Sequence, residues 1–273
     1  MMKRMNLAVI CTAMMALLGF TSCLDSKNGT TTGQWVGIVK VNSASGYYQF
    51  KSADGSTIVP SNQSDLQGKG LENYTFAYVM ATYNTEDLSQ GSASVPMQIS
   101  GVSPIKSSAV NSGTGDGMAA FSNSSVAFVS NDASNGMVTF YSTQDMFVPV
   151  SYYYKPYSQG SAELTDELNK HSFALFYDVK AASEGALTFH LRHHVQDEAL
   201  NKERTSRGAE YLHFNIAAAV QEYRLEKGGL PQTIQIEYLQ GTTTGELGTA
   251  LSAQLSTPVN YQQVCEELGQ MQK

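Results

Sequence analysis

Hydrophobic positions along this chain recur mostly with a period of two. Runs rich in Val, Ile, Tyr, Phe and Thr stand between clusters of Gly, Ser, Asn and Asp, the pattern of short antiparallel strands joined by turns. The first such runs are 35–41, 47–51, 56–59, 74–83 and 95–102. Between the second and third, Asp54-Gly55 supplies the positive φ angles that a tight hairpin demands. In 74–83, Tyr74, Phe76, Tyr78 and Met80 share one face, and Thr75, Ala77, Val79 and Ala81 the other. Later strands are expected at 126–129, 137–141, 147–154, 173–179, 187–195, 211–216 and 233–239. Helical spacing interrupts this texture at 217–227, stopped by Gly228-Gly229, and at 260–271. Within the polar stretch 158–170, Thr165 is expected to cap a short helical turn. The fold class predicted is all-β with short helical segments.

Two stretches break the pattern. Residues 106–125 are dominated by Ser, Gly, Asn and Ala and carry too little apolar surface to hold themselves in place, so they are expected to be a linker. That places one β domain at 34–105 and a second at 126–245, with a C-terminal extension at 246–273. The other stretch is the start of the chain. Lys3 and Arg4 precede an apolar run over 7–18, which is shorter than the roughly 20 residues a membrane-spanning helix needs. It reads as a signal peptide over 1–22, with Thr21-Ser22 before Cys23 as a lipobox. Cys23 is therefore the expected lipidation site, and 23–33, small and polar, the tether between lipid and fold. The expected location is the cell envelope, lipid-anchored, at the outer membrane.

Charge and cysteine content narrow the chemistry. The formal net charge of -7 becomes -9 once Lys3 and Arg4 leave, and no basic stripe offsets it, so nucleic acid is not an expected partner. The chain has 3 cysteines, Cys11, Cys23 and Cys265; loss of the first and acylation of the second leave Cys265 alone, without a disulfide partner. No thiolate zinc site can be built, and no cofactor is expected.

The opening Cys23-Leu24-Asp25, then 35–41 (Trp-Val-Gly-Ile-Val-Lys-Val), then Tyr48-Gln49-Phe50 with Asp54-Gly55, resembles the NigD-like lipoproteins of the Bacteroides and Prevotella group. The segment 187–194 and the runs 211–214 and 234–238 resemble the C-terminal core of that family. The resemblance implies an N-terminal OB-like barrel followed by a C-terminal β-sandwich, and it carries no catalytic residues.

Catalytic motifs are correspondingly sparse. There is no G-x-S-x-G elbow, H-E-x-x-H or G-x-x-x-x-G-K-[ST] in the sequence. Asp166-Glu167 and Glu266-Glu267 read as solvated helix surface. Four of the 5 histidines, His190, His193, His194 and His213, fall on two runs expected to pair antiparallel. Alternation sets His193 on the apolar face as a hydrogen-bonded histidine at the edge of the core, and His190, Arg192 and His194 on the other; His213 and Tyr211 then point outward from the second run. His190 and His194 stand about 13 Å apart on a strand, too far to grip one ion, so no metal site is expected. His190, Arg192, His194, Tyr211 and His213 are instead the candidate recognition patch. The tyrosines at 47–48 and 152–157 offer flat hydrogen-bonding platforms. The expected function is a non-catalytic envelope module, anchored to the membrane through its lipid, that binds a protein, peptide or glycan partner. The alternative is an envelope hydrolase with a dispersed Ser/Cys-His site.

Overall fold

The structure, a computed structural model, describes residues 32–85, 94–122, 124, 126, 128–129, 137–196, 203–240 and 251–271. Cys23, the signal peptide and most of the tether lie outside the described residues. The chain falls into two compact units, with the boundary between Lys106 and Ser107.

The first unit is a closed barrel of β1 (Thr32–Ala44), β2 (Tyr47–Lys51), β3 (Thr57–Pro60), β4 (Phe76–Asn84) and β5 (Ser94–Ile105), in the order β1-β2-β3-β5-β4. Only β3 and β5 run parallel; the other neighbours are antiparallel. This is the OB-like barrel implied by the resemblance. Alternation does the sorting. In β2, Tyr48 and Phe50 turn inward while Tyr47, Gln49 and Lys51 face solvent. Val39, Phe50, Ile58, Val79, Val95 and Met97 form the core, and Trp35 packs against it. Two 3-10 turns between β3 and β4, Gln63–Leu66 and Leu71–Asn73, add Leu66 and Leu71 to that core. A turn forms at Asp54-Gly55, but only Gly55 takes a positive φ, +86, and it donates its N–H to Ser52 O at 3.0 Å.

The second unit contains β6 (Ser107–Ser112), β7 (Phe128–Val129), β8 (Thr139–Phe140), β9 (Asp145–Tyr154), β10 (His171–Tyr177), β11 (Ala186–Val195), β12 (Ser206–Asn215), β13 (Thr233–Gln240), β14 (Ser252–Leu255) and β15 (Val259–Asn260). The strand order is β14-β13-β11-β10-β6-β12-β9-β7, with β15 on β13 and β8 on β9. β6 turns this sheet into a sandwich. Its Ser107 and Ser108 pair with β12, and its Ala109–Ser112 stretch pairs with β10, so one strand serves both halves. The halves bury a common core in which Val148, Leu212 and Phe214 belong to one side and Leu175, Phe189 and Ile236 to the other. At the opposite end, Val126 N–H donates to Leu239 O at 2.9 Å, and Phe128 and Val129 pair with β9. Helices α1 (Asp116–Phe121), α2 (Ala162–Asn169), α3 (Ala217–Lys227) and α4 (Tyr261–Met271) complete the chain. α3 ends at Gly228, which adopts φ 76, as the Gly228-Gly229 stop predicts.

Several expectations need correction. The stretch 106–125 is not a linker: 107–112 is an interior strand and 116–121 a helix. Strand pairing uses backbone groups, which Ser107-Ser108-Ala109 supply as well as Val or Ile would. Within the C-terminal extension, β14 and β15 add to β13, and a helix follows over Tyr261–Met271. β11–β13, β6–β10 and β6–β12 are parallel, where antiparallel pairing was expected throughout. Thr165 lies inside α2; the cap is Ser161, whose Oγ accepts from Leu164 N–H at 3.1 Å.

Candidate functional site

The two histidine-bearing runs do not pair. β11 lies between β10 and β13, β12 lies between β6 and β9, and two strands separate them in the sheet. The candidate patch therefore divides in two. The facing of each side chain follows alternation, because local period needs no knowledge of the neighbour. The partners do not follow from it.

On β11, His190 stands opposite Glu237 of β13 in the parallel register. Arg192 Nη2 donates to Glu237 Oε1 at 2.6 Å, and its Nη1 donates to Leu191 O at 3.0 Å. His190 Nδ1 lies 3.0 Å from the same Oε1, close enough for attraction but poorly directed for a hydrogen bond. Burial alone would raise the Glu237 carboxyl; His190 and then Arg192 outweigh it and hold the group below its ordinary value. Arg192 is only 6% exposed and its charge is answered by Glu237, so it does not offer a free cation. His194 is covered in part by Phe121 of α1, with ring centroids 5.3 Å apart, and its Nδ1 is shielded from solvent.

On β12, Tyr211 is half-buried and His213 is buried at 6% exposure, although His213 points away from the core formed by Leu212 and Phe214. Two ladders explain its contacts. His213 is in parallel register with Ser107 of β6 and in antiparallel register with Phe147 of β9. Ser107 Oγ lies 2.8 Å from His213 Nδ1, and Asp145, diagonal to it on β9, puts Oδ1 2.9 Å from Nε2. The ring packs tilted against Phe147, with centroids 5.0 Å apart. The hydrogen bond with His213, with smaller ones from Ser142 and Asn215, holds the Asp145 carboxyl below its ordinary 3.8 despite partial burial.

A third polar centre was not anticipated. Glu167 of α2, expected on a solvated surface, is 1% exposed. Its Oε1 accepts from Arg204 Nε at 2.8 Å and from Lys155 N–H at 3.1 Å. Its Oε2 lies 3.5 Å from Lys170 Nζ, and His171 Nε2 lies 3.5 Å from Oε1. His171 Nδ1 shares a hydrogen bond with His193 Nε2 at 2.9 Å, and His193 stacks flat on Phe173 at 4.4 Å. Burial, and then the nearby Glu210, push the Tyr152 hydroxyl beside these rings well up. Sequence spacing shows that Glu167 and His171 are one helical turn apart. Nothing local shows Arg204, 37 residues on, arriving to neutralise the carboxylate. Among the described residues no group of three or more His, Cys, Asp or Glu side chains is arranged to hold a metal ion.

Comparison with known proteins adds the biological setting. A "putative lipoprotein" from Bacteroides fragilis NCTC 9343 matches with a TM-score of 0.69 and 25% identity, over 84% of this chain and 98% of its own. The chain has the fold of a Bacteroides lipoprotein. A "NigD-like immunity protein" from Bacteroides caccae ATCC 43185 aligns over 84% of this chain and 92% of its own, with a TM-score of 0.44 and 14% identity. A "putative TOXIN related protein" from Parabacteroides distasonis ATCC 8503 aligns over 88% and 100%, with 0.47 and 12%. The match to the Bacteroides fragilis protein agrees with the lipoprotein resemblance read from the sequence. Neither a protein-family model nor a curated protein matches the chain. Among the described residues, no helix is long and apolar enough to cross a membrane.

Proposed function

We propose that this protein is an outer-membrane lipoprotein, anchored through an acylated Cys23, that acts as a non-catalytic binding or accessory module for a protein, peptide or glycan partner. The observation that carries the reading is the shared architecture with the Bacteroides fragilis lipoprotein across 84% of this chain. The OB-like barrel supports a binding role, because that barrel type uses its β2–β3 face and adjoining loops to hold extended polymers. On this face Tyr47 is 68% exposed at the start of β2, beside outward-facing Gln49 and Lys51. An exposed tyrosine ring flanked by an amide and an ammonium group suits the mixed apolar and hydroxyl surface of a sugar or a peptide.

The anchor and the module are tested separately. Cys23→Ala should abolish labelling by a palmitate analogue and move the protein from the membrane to the soluble fraction; labelling that persists refutes the anchor. The Cys23→Ala protein should bind on arrays of envelope glycans and peptides, and Tyr47→Ala in that background should weaken binding about tenfold, the cost of about 1.4 kcal/mol at one aromatic contact. Binding that ignores Tyr47 removes the barrel face from the proposal.

A further inference from the structure

The corner strand β6 brings Ser107 into line with His213 and Asp145. Three strands supply one residue each, and both contacts are at hydrogen-bond distance, 2.8 Å and 2.9 Å. The charge on Asp145 fixes the direction of the line. A carboxylate only accepts, so His213 Nε2 carries a proton toward Asp145 Oδ1, and in the neutral ring Nδ1 is then the acceptor for the Ser107 hydroxyl. Tilted packing against Phe147 and the Ser142 hydroxyl bonded at 2.7 Å to the other Asp145 oxygen keep ring and carboxylate in place. Ser107 itself is exposed. A serine aligned with a base that a third group orients is the arrangement that makes a hydroxyl nucleophilic.

We propose that Ser107 is an activated nucleophile and a covalent modification site that accepts an acyl group from a carboxylic ester or thioester. This goes beyond the binding role and adds a single covalent event to it. Ser107 Oγ attacks the acyl carbonyl carbon while its proton passes to His213 Nδ1. The tetrahedral adduct collapses, the bond to the leaving oxygen or sulfur breaks, and that atom takes the proton from Nδ1. The products are the Ser107 ester and a free alcohol or thiol, with no change of oxidation state. Asp145 stays ionised throughout and balances the transient imidazolium. Ser107 and Ser108 pair with β12 alone, and pairing with β10 begins at Ala109; His213 is 6% exposed, so water has little access to its ring to hydrolyse the ester, and the acyl group is retained rather than turned over.

The test uses the full-length Cys23→Ala protein and p-nitrophenyl acetate. The expected result is a stoichiometric burst of p-nitrophenolate without further release, and an acetyl adduct on the peptide containing Ser107. Ser107→Ala should abolish both. His213→Gln should slow the burst by about 100-fold, the usual contribution of a general base, and Asp145→Asn by at least about tenfold through loss of the correct tautomer. Because His213 is buried, its variant is checked by circular dichroism, and the exposed Ser107 variant stands without that concern. Ser172→Ala is the control: Ser172 Oγ meets only a backbone carbonyl, His194 O at 3.3 Å, and its loss should leave the burst unchanged. A burst that survives Ser107→Ala, or an adduct elsewhere, overturns the proposal. Continuous release that depends on Ser107 would overturn the retained modification, and with it the non-catalytic function proposed above.

Discussion

Replacing Glu167 with Gln removes one charge from a sealed pair while nearly preserving shape. Glu167 and Arg204 are 1% and 2% exposed and 2.8 Å apart. Deleting one partner of such a pair costs about 3–5 kcal/mol, because the remaining charge stays buried without its counter-charge. The Gln carbonyl still accepts from Lys155 N–H, and Lys170, 35% exposed and 3.5 Å away, loses only a partly hydrated contact. The lower end, about 3 kcal/mol, is therefore expected. With a urea slope of about 2 kcal/mol per molar, the transition of the second unit should fall by about 1.5 M. Far-UV circular dichroism follows that transition, whereas Trp35, the single tryptophan, sits in β1 and reports on the first unit. Acid adds an independent arm. Burial would raise the Glu167 carboxyl, but Lys155 N–H, Arg204 and His171 together outweigh it and hold the group below its ordinary 4.5. Its contribution is thus fully present above pH 4.5 and is lost as pH falls through the lower folded value. Glu167→Gln should flatten the pH dependence of stability in that window. A midpoint shift below about 0.3 M, the range of a solvated surface pair, would refute the buried-pair account.

Two further outcomes follow from the second unit. Glu237→Gln leaves Arg192, 6% exposed, without its carboxylate and should cost about 2 kcal/mol in urea melts, the 22% exposure of Glu237 moderating the penalty; an unchanged midpoint would mean that the pair is fully hydrated. Limited proteolysis of the native protein should leave 107–112 uncut, since β6 is held by β10 and β12; early cleavage inside it would contradict its place in the sheet.

Local pattern was enough for the all-β class, the Asp54-Gly55 turn, the helix over 217–227 with its glycine stop, and the facing of 187–195. All of these depend on residues within a few positions of one another, where side-chain period and φ preference act directly. His193 faces the side the pattern gives it and is hydrogen-bonded, but at 1% exposure it lies deeper than the core edge expected. Partner choice is another matter. β6 carries almost no hydrophobic signal, because an interior strand is held by backbone bonds that small polar residues make equally well. The histidines of β11 and β12 were expected side by side, yet two strands stand between them, since alternation says which way a residue faces and nothing about which strand lies beside it. Glu167 looks like helix surface in any short window; its burial depends on Arg204 and on Lys155 N–H arriving from distant segments. Ser107 and Asp145 become partners of His213 from 106 and 68 residues away, through two ladders whose register only the folded sheet defines.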